Sequence, residues 1–157
     1  MKPALHTPGA SRNLESLNIE QRTSNKEQRT KNMYLIKVKD DFCAAHFLKW
    51  SDGSAEGVHG HNWKVEIVVE CEKLDNAGIG IDYIFLYKHL HGLLDEKLDH
   101  KNLNYIEEFS DRNPTSENVA KWIFDEMSSC VKNKNPDAEL KSVTVSETDQ
   151  FCVTYIK

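Results

Sequence analysis

Two histidines one residue apart, His59 and His61, open the alternating run "HGHNWKVEIVVE". On a strand, residues i and i+2 point to the same face, so this spacing sets two imidazoles side by side. A third, His46, ends the inner face of the preceding alternating run, "YLIKVKDDFCAAHF", in similarly apolar company. If the two strands pair with their histidine-bearing ends adjacent, three neutral imidazoles converge. That is a ligand set for zinc, which takes histidine nitrogen at about 2.0–2.1 Å, and three protein ligands leave the fourth position open, as in catalytic sites. No cysteine stands in the cluster, which points the same way. A single histidine on an apolar face is more commonly a hydrogen-bonded core residue; three at strand ends favour a metal.

Other residues offer different chemistry. Glu147 shares a strand face with Val143 and Val145, and an inward carboxylate among valines is either paired or binds something. A guanidine-like edge of a heterocycle suits it, because a carboxylate accepts two parallel N–H bonds. Asp99 and His100, in "LDHKNLN", form a carboxylate–imidazole pair able to shuttle protons near neutral pH. The plain alternative is a histidine at a helix C-terminus interacting with the dipole. His89 and His91 are also two apart, but on a helix that spacing does not face one partner, so they read as solvent or interface residues.

The elements that must position these groups follow from periodicity. Ile36, Val38, Phe42, Ala44 and His46 share one parity of a first strand; His59, His61, Trp63, Val65, Ile67 and Val69 share one face of a second. "KWSDGSAEG" between them has turn composition. "DNAGIGIDY" reads as a turn entering a short strand. A helix follows, with Leu86, Leu90, Leu93, Leu94 and Leu98 at helical spacing. A second helix follows Pro114, capped by Thr115 or Ser116, with Val119, Ala120, Ile123, Phe124, Met127, Cys130 and Val131 as its buried stripe. "ELKSVTVSETDQFCVTYIK" reads as a hairpin turning at "TDQ". The order β-β-(β)-α-α-β-β predicts an α+β sheet with two helices on one face, whose edges invite pairing with other subunits.

The bulk numbers exclude several classes. The chain has 157 residues and a formal charge of −5. That length suits one domain with a real core, and the charge gives no support to nucleic-acid binding. No apolar run reaches membrane-span length and no signal-peptide core is visible. Four scattered cysteines, Cys43, Cys71, Cys130 and Cys152, fit a reduced, cytoplasmic protein better than a disulfide framework. Residues 1–32 are basic (net +3), polar and poor in apolar residues, whereas the remainder carries −8. They read as a disordered leader, or as an extension upstream of a natural start at Met33, and residues 33–157 as the folded domain. The three acids in the leader weaken a transit-peptide reading.

Taken together, "FCAAHF", "HGHNWKVEI", "GIGIDYIFL", "LDHKNLN", "PTSENVAKWIFDEM" and "VSETDQFCVTY", in that order, resemble the family of 6-pyruvoyl-tetrahydropterin and 6-carboxytetrahydropterin synthases. The resemblance runs from about Met33 to the C-terminus. It implies a tunnelling fold, in which subunits pool their sheets into a barrel, and a homohexamer of two trimers with active sites at subunit interfaces. It implies zinc on His46, His59 and His61, a pterin ring anchored by Glu147, and Thr115, Ser116 and Glu117 lining that pocket. Asp99 and His100 match the family's proton relay, and the usual substrate is dihydroneopterin triphosphate.

The chain departs from the family at one point. Usual members carry a catalytic cysteine in the loop before "HGH"; here residues 44–70 contain none, and Cys43 lies on the opposite strand face from His46. Glu56 stands in that loop, in the pattern Glu-x-x-His-Gly-His. This resembles a subgroup in which glutamate replaces the cysteine and the pterin side chain is cleaved to 6-hydroxymethyl-dihydropterin for folate synthesis. A positioned base is typically worth about 10²–10⁴ in rate, so the exchange should matter. Glu56 as an ordinary exposed loop acid is the plain alternative. Three functions stay open: a zinc-dependent lyase with Glu56 as base, a pyruvoyl- or carboxy-tetrahydropterin synthase with another group in place of the thiol, or a catalytically retired subunit that binds pterin or zinc.

Overall fold

The computed structural model describes residues 32–157. The leader expected over residues 1–32 lies outside the described residues, Asn32 apart.

Two long strands start the domain, β1 (Tyr34–His46) and β2 (His59–Cys71). Helix α1 (Tyr83–Lys97), the two-residue β3 (Lys101–Asn102) and two short 3-10 turns follow. Helix α2 (Ser116–Lys134) and the hairpin β4 (Ala138–Ser146) and β5 (Cys152–Ile156) complete it. One five-stranded sheet runs in the order β3-β1-β2-β4-β5. All pairs are antiparallel except β1 with β3. The sheet is therefore mixed, and the α+β expectation of two helices on one sheet face holds.

The expected short strand in "GIGIDY" does not form. The Asp75 carboxylate instead accepts the backbone N–H of Ala77 and Ile79 at 2.8 and 2.9 Å, closing a turn around Gly78 at φ 79°. Asp82 then caps α1 by accepting from Ile84 N–H. An aspartate that satisfies local amides favours a turn over a ladder. The short strand lies after the helix, where Lys101 and Asn102 pair with Ala44 and Ala45.

The helices bury the predicted stripes. Leu86, Leu90, Leu94 and Leu98 of the first are inaccessible or nearly so, with Leu93 half-buried against them; Val119, Ala120, Ile123, Phe124, Met127 and Val131 of the second are likewise buried, with Cys130 only half-buried. Thr115 is the α2 cap and Ser116 faces inward. Both helices share one core with Trp63, Val65, Ile67 and Val69 of β2.

A single slip in β4 controls where Glu147 points. Val68 pairs with Ser142 but Val69 with Leu140, so one residue of β4 is unmatched. The extra residue reverses the parity of the strand. Ala138 and Leu140 before the bulge, and Val143 and Val145 after it, all face the core. Glu147 continues that second series beyond Val145.

Leu90→Ala removes a fully buried side chain from the interface between α1 and the sheet. It should lower unfolding free energy by about 2–5 kcal/mol. Chemical denaturation at one fixed protein concentration measures this; Ile84→Ala, exposed on the same helix, should stay near the parent value.

Candidate active site

The pairing of β1 with β2 brings the histidines together. His46 lies directly opposite His59, and Ala44 opposite His61. The small alanine leaves the space above it to the His61 ring. Ring centroids lie 4.7 Å apart for His46 and His59, 5.3 Å for His46 and His61, and 4.9 Å for His59 and His61. One nitrogen from each ring lies within 4.8 Å of the others. Trp63, fully buried, stands edge-on beneath His46 and His61 and donates its indole N–H to the Ala44 carbonyl.

Backbone carbonyls select the tautomers. His46 Nδ1–H donates to Pro114 O and His59 Nδ1–H to Gly57 O, both at 2.9 Å. An imidazole that donates from Nδ1 keeps the Nε2 lone pair for a ligand. Nε2 of His46 and of His61 are buried and have no protein partner. Burial holds the His61 imidazole below the ordinary histidine range; the nearby Glu147 carboxylate opposes this and the other two rings add to it. Unpartnered buried acceptors are costly, and three imidazole nitrogens around one point fit a divalent transition metal with open coordination positions.

Glu56 stands beside this group. The loop between β1 and β2 folds back through a Lys49–Ala55 bridge, with Trp50 N–H donating to Ser54 O and Gly53 N–H to Trp50 O. This returns Glu56 to Leu48. The Glu56 N–H donates to Leu48 O at 3.0 Å, and its carboxylate Oε1 accepts Leu48 N–H at 2.9 Å. The same oxygen lies 3.9 Å from His59 Nδ1.

The four residues expected to bind substrate line one cavity of ≈ 540 Å³. Thr115, Ser116, Glu117 and Glu147 meet there with Leu48 and Phe151. Ser116 Oγ–H donates to Glu147 Oε1 at 2.7 Å. Sequence reasoning missed Leu48, which ties this cavity to the Glu56 loop, and Phe151, which is 70% exposed. It also missed the Pro114 carbonyl, because a backbone acceptor carries no residue-type signal.

His100 borders a second cavity, of ≈ 530 Å³, which His61, Asn62 and Cys43 also line. His100 Nδ1 bonds Asp99 Oδ2 at 2.6 Å. Asp99 Oδ1 accepts Cys43 N–H at 2.7 Å, and His100 N–H donates to Cys43 O at 2.6 Å. The Cys43 amide foremost, and then His100, hold the Asp99 carboxyl below its usual range. His100 has φ 56°, a left-handed conformation that costs a branched-off side chain energy and is held here by the strand it abuts.

Cys43 is exposed on the opposite sheet face from His46, and its thiol donates to Asn62 Oδ1. All four cysteines are free. His89 and His91 lie apart from the site: His89 bonds Phe85 O, and His91 pairs with the inward Asp40 at 3.0 Å. Among the described residues no helix is long and apolar enough to cross a membrane.

Comparison with known proteins identifies the family and the fold. The family profile described as 6-pyruvoyl tetrahydropterin synthase matches residues 35–157. A dihydroneopterin monophosphate aldolase of Pyrococcus furiosus is 38% identical over 118 residues, covering 75% of this chain and 93% of that protein. A 6-carboxy-5,6,7,8-tetrahydropterin synthase of Bacillus subtilis is 35% identical, covering 70% of this chain and 77% of its own length. The solved 6-pyruvoyl tetrahydropterin synthase of Caenorhabditis elegans superposes with a TM-score of 0.69 at 28% identity, over 80% of this chain and 96% of that one. With the same fold, and with three histidines and a glutamate-bearing pocket gathered at one end of the sheet, the chain belongs to the 6-pyruvoyl tetrahydropterin synthase family.

Proposed function

We propose that the protein is a zinc-dependent lyase that cleaves the side chain of 7,8-dihydroneopterin, or of its mono- or triphosphate, to 6-hydroxymethyl-7,8-dihydropterin. The observation that carries this reading is the Glu56 carboxylate, anchored to Leu48 N–H and 3.9 Å from His59, in a loop that holds no cysteine. The similarity to an archaeal protein named as a dihydroneopterin monophosphate aldolase supports it.

His46, His59 and His61 would hold the zinc, which when bound supplies Lewis-acid polarisation of a side-chain oxygen. The chain's own residues do the rest. Glu147, steadied by Ser116, accepts the amino-pyrimidine N–H groups of the pterin, with Thr115 and Glu117 bordering the ring. Glu56 removes the proton of the C2′ hydroxyl. The C1′–C2′ bond then breaks, and C2′ leaves as an aldehyde carbon. The electron pair passes into the pterin ring and returns to C1′ as a new C–H bond, with the proton supplied by the Asp99–His100 pair. The step is redox-neutral. The active assembly is a cytoplasmic homohexamer of two trimers with sites completed at subunit interfaces.

A synthase forming a pyruvoyl or carboxy side chain is the second reading, favoured by the 35% identity to a carboxytetrahydropterin synthase. Mass-spectrometric identification of the product from dihydroneopterin and its phosphates separates the two. A hydroxymethyl pterin is expected; a pyruvoyl or carboxy product overturns the lyase, and no turnover of any pterin means a retired site.

Glu56→Gln should lower kcat by about 10²–10⁴ with zinc content unchanged, the usual contribution of a positioned base. His46→Ala should reduce metal from about one zinc per chain to a trace, since two remaining imidazoles cannot close a three-ligand site; elemental analysis of purified protein reads this directly. Glu147→Ala should raise KM roughly tenfold to a hundredfold, the loss of hydrogen bonds to a charged acceptor.

A further inference from the structure

The chain leaving His46 is gripped on both edges. Phe47 N–H donates to Asn104 Oδ1 at 2.8 Å, and Asn104 Nδ2–H donates back to Phe47 O at 2.7 Å. Lys49 makes the same pair with Asn113, at 3.0 and 2.8 Å. Leu48, between them, turns its N–H and C=O the other way, to the Oε1 and N–H of Glu56. A carboxamide carries an acceptor and donors in one plane, as a peptide does. Two asparagine side chains thus stand where a neighbouring strand would pair, alternating along the segment as ladder bonds do.

We infer that Asn104 and Asn113 are positioning residues that set the Glu56 carboxylate through the backbone of Leu48. This rests on the assignment of Glu56 as base. The Leu48 N–H occupies one carboxylate oxygen and leaves the other for a proton. The Leu48 amide can aim that oxygen only if the segment bearing it is immobile, and its outer edge is held by these two amides. The main chain of each asparagine is itself anchored: the Asn104 backbone N–H donates to Asn102 Oδ1, and Asn118 Nδ2–H donates to the Asn113 backbone carbonyl. Asn113 also precedes Pro114, whose carbonyl orients His46, so an effect on the base must be separated from one on the metal group.

The test uses zinc-loaded full-length protein carrying Asn104→Ala or Asn113→Ala, alone and with Glu56→Gln. Each asparagine change alone should lower kcat about tenfold to a hundredfold, the cost of displacing a catalytic group by roughly an ångström. KM and zinc per chain should stay at parent values. In the Glu56→Gln background the same change should cost less than about threefold, because coupled residues are non-additive. An undiminished loss in that background, a loss accompanied by lost zinc, or parent kcat in the single asparagine variants while Glu56→Gln is impaired would each overturn the inference. Parent kcat in Glu56→Gln alone would instead remove the base assignment, and the inference with it. If the alanine variants do not fold, Asn113→Asp keeps an acceptor for Lys49 N–H and replaces the donor to Lys49 O with a charged oxygen that repels it, and should give the same kcat-selective loss. Hydrogen exchange of the Leu48 amide in the parent protein should be slow; exchange at the rate of a free loop amide would also overturn the clamp.

Discussion

The register between β1 and β2 is the constraint on which the site depends. Three successive same-face pairs run toward the strand ends: Phe42 with Trp63, Ala44 with His61, and His46 with His59. The first is apolar and stacked, with ring planes 4° apart. The second sets a small residue against an imidazole. The third is imidazole on imidazole. A slip of one residue would turn every one of these side chains to the other sheet face. Burial of Phe42 and Trp63 resists that slip, so the hydrophobic core itself keeps the histidines in register.

Charge around the histidines follows a different pattern from charge on the surface. On the open sheet face and its turns, carboxylates pair with lysines, as in Lys37 and Lys39 with Glu66 or Lys64 with Asp149. Glu56 and Glu147, among the described residues, form no ion pair with Lys or Arg. A backbone amide and a serine hydroxyl hold them instead. Neutral donors orient a carboxylate without neutralising it, so both acids remain available to a cation or to ligand N–H groups. Two such acids stand beside three imidazoles whose nitrogens converge on one point.

Much of this was legible in the sequence because periodicity reports which face a side chain takes. His46, His59, His61 and Glu147 were placed by parity alone, and the helix stripes by their spacing. Three features were not legible. The short strand was expected before α1, but Asp75 made a turn there with its own side chain, and two polar residues after the helix paired instead. The bulge in β4 leaves no composition signal, yet it reconciles inward Leu140 with inward Val145. Asn104, Asn113 and the Pro114 carbonyl act by backbone geometry between segments far apart in the chain, which residue types along one strand do not encode.

The parts of the site differ in what holds them. Glu147 directly follows β4, Ser116 opens helix α2, and the histidines sit on paired strands, so their geometry is inherited from the core. Glu56 sits on a loop, where sequence can change without disturbing packing. On the proposed reading, the rigid elements recognise the pterin and the metal, and the loop decides which proton is taken. A loop base gains freedom to vary and loses precision, unless it is fixed locally. Side-chain amides that imitate a strand can supply that fixation without lengthening the sheet, which on the same reading puts the determinant of reaction outcome in the few residues that hold Leu48 and Glu56.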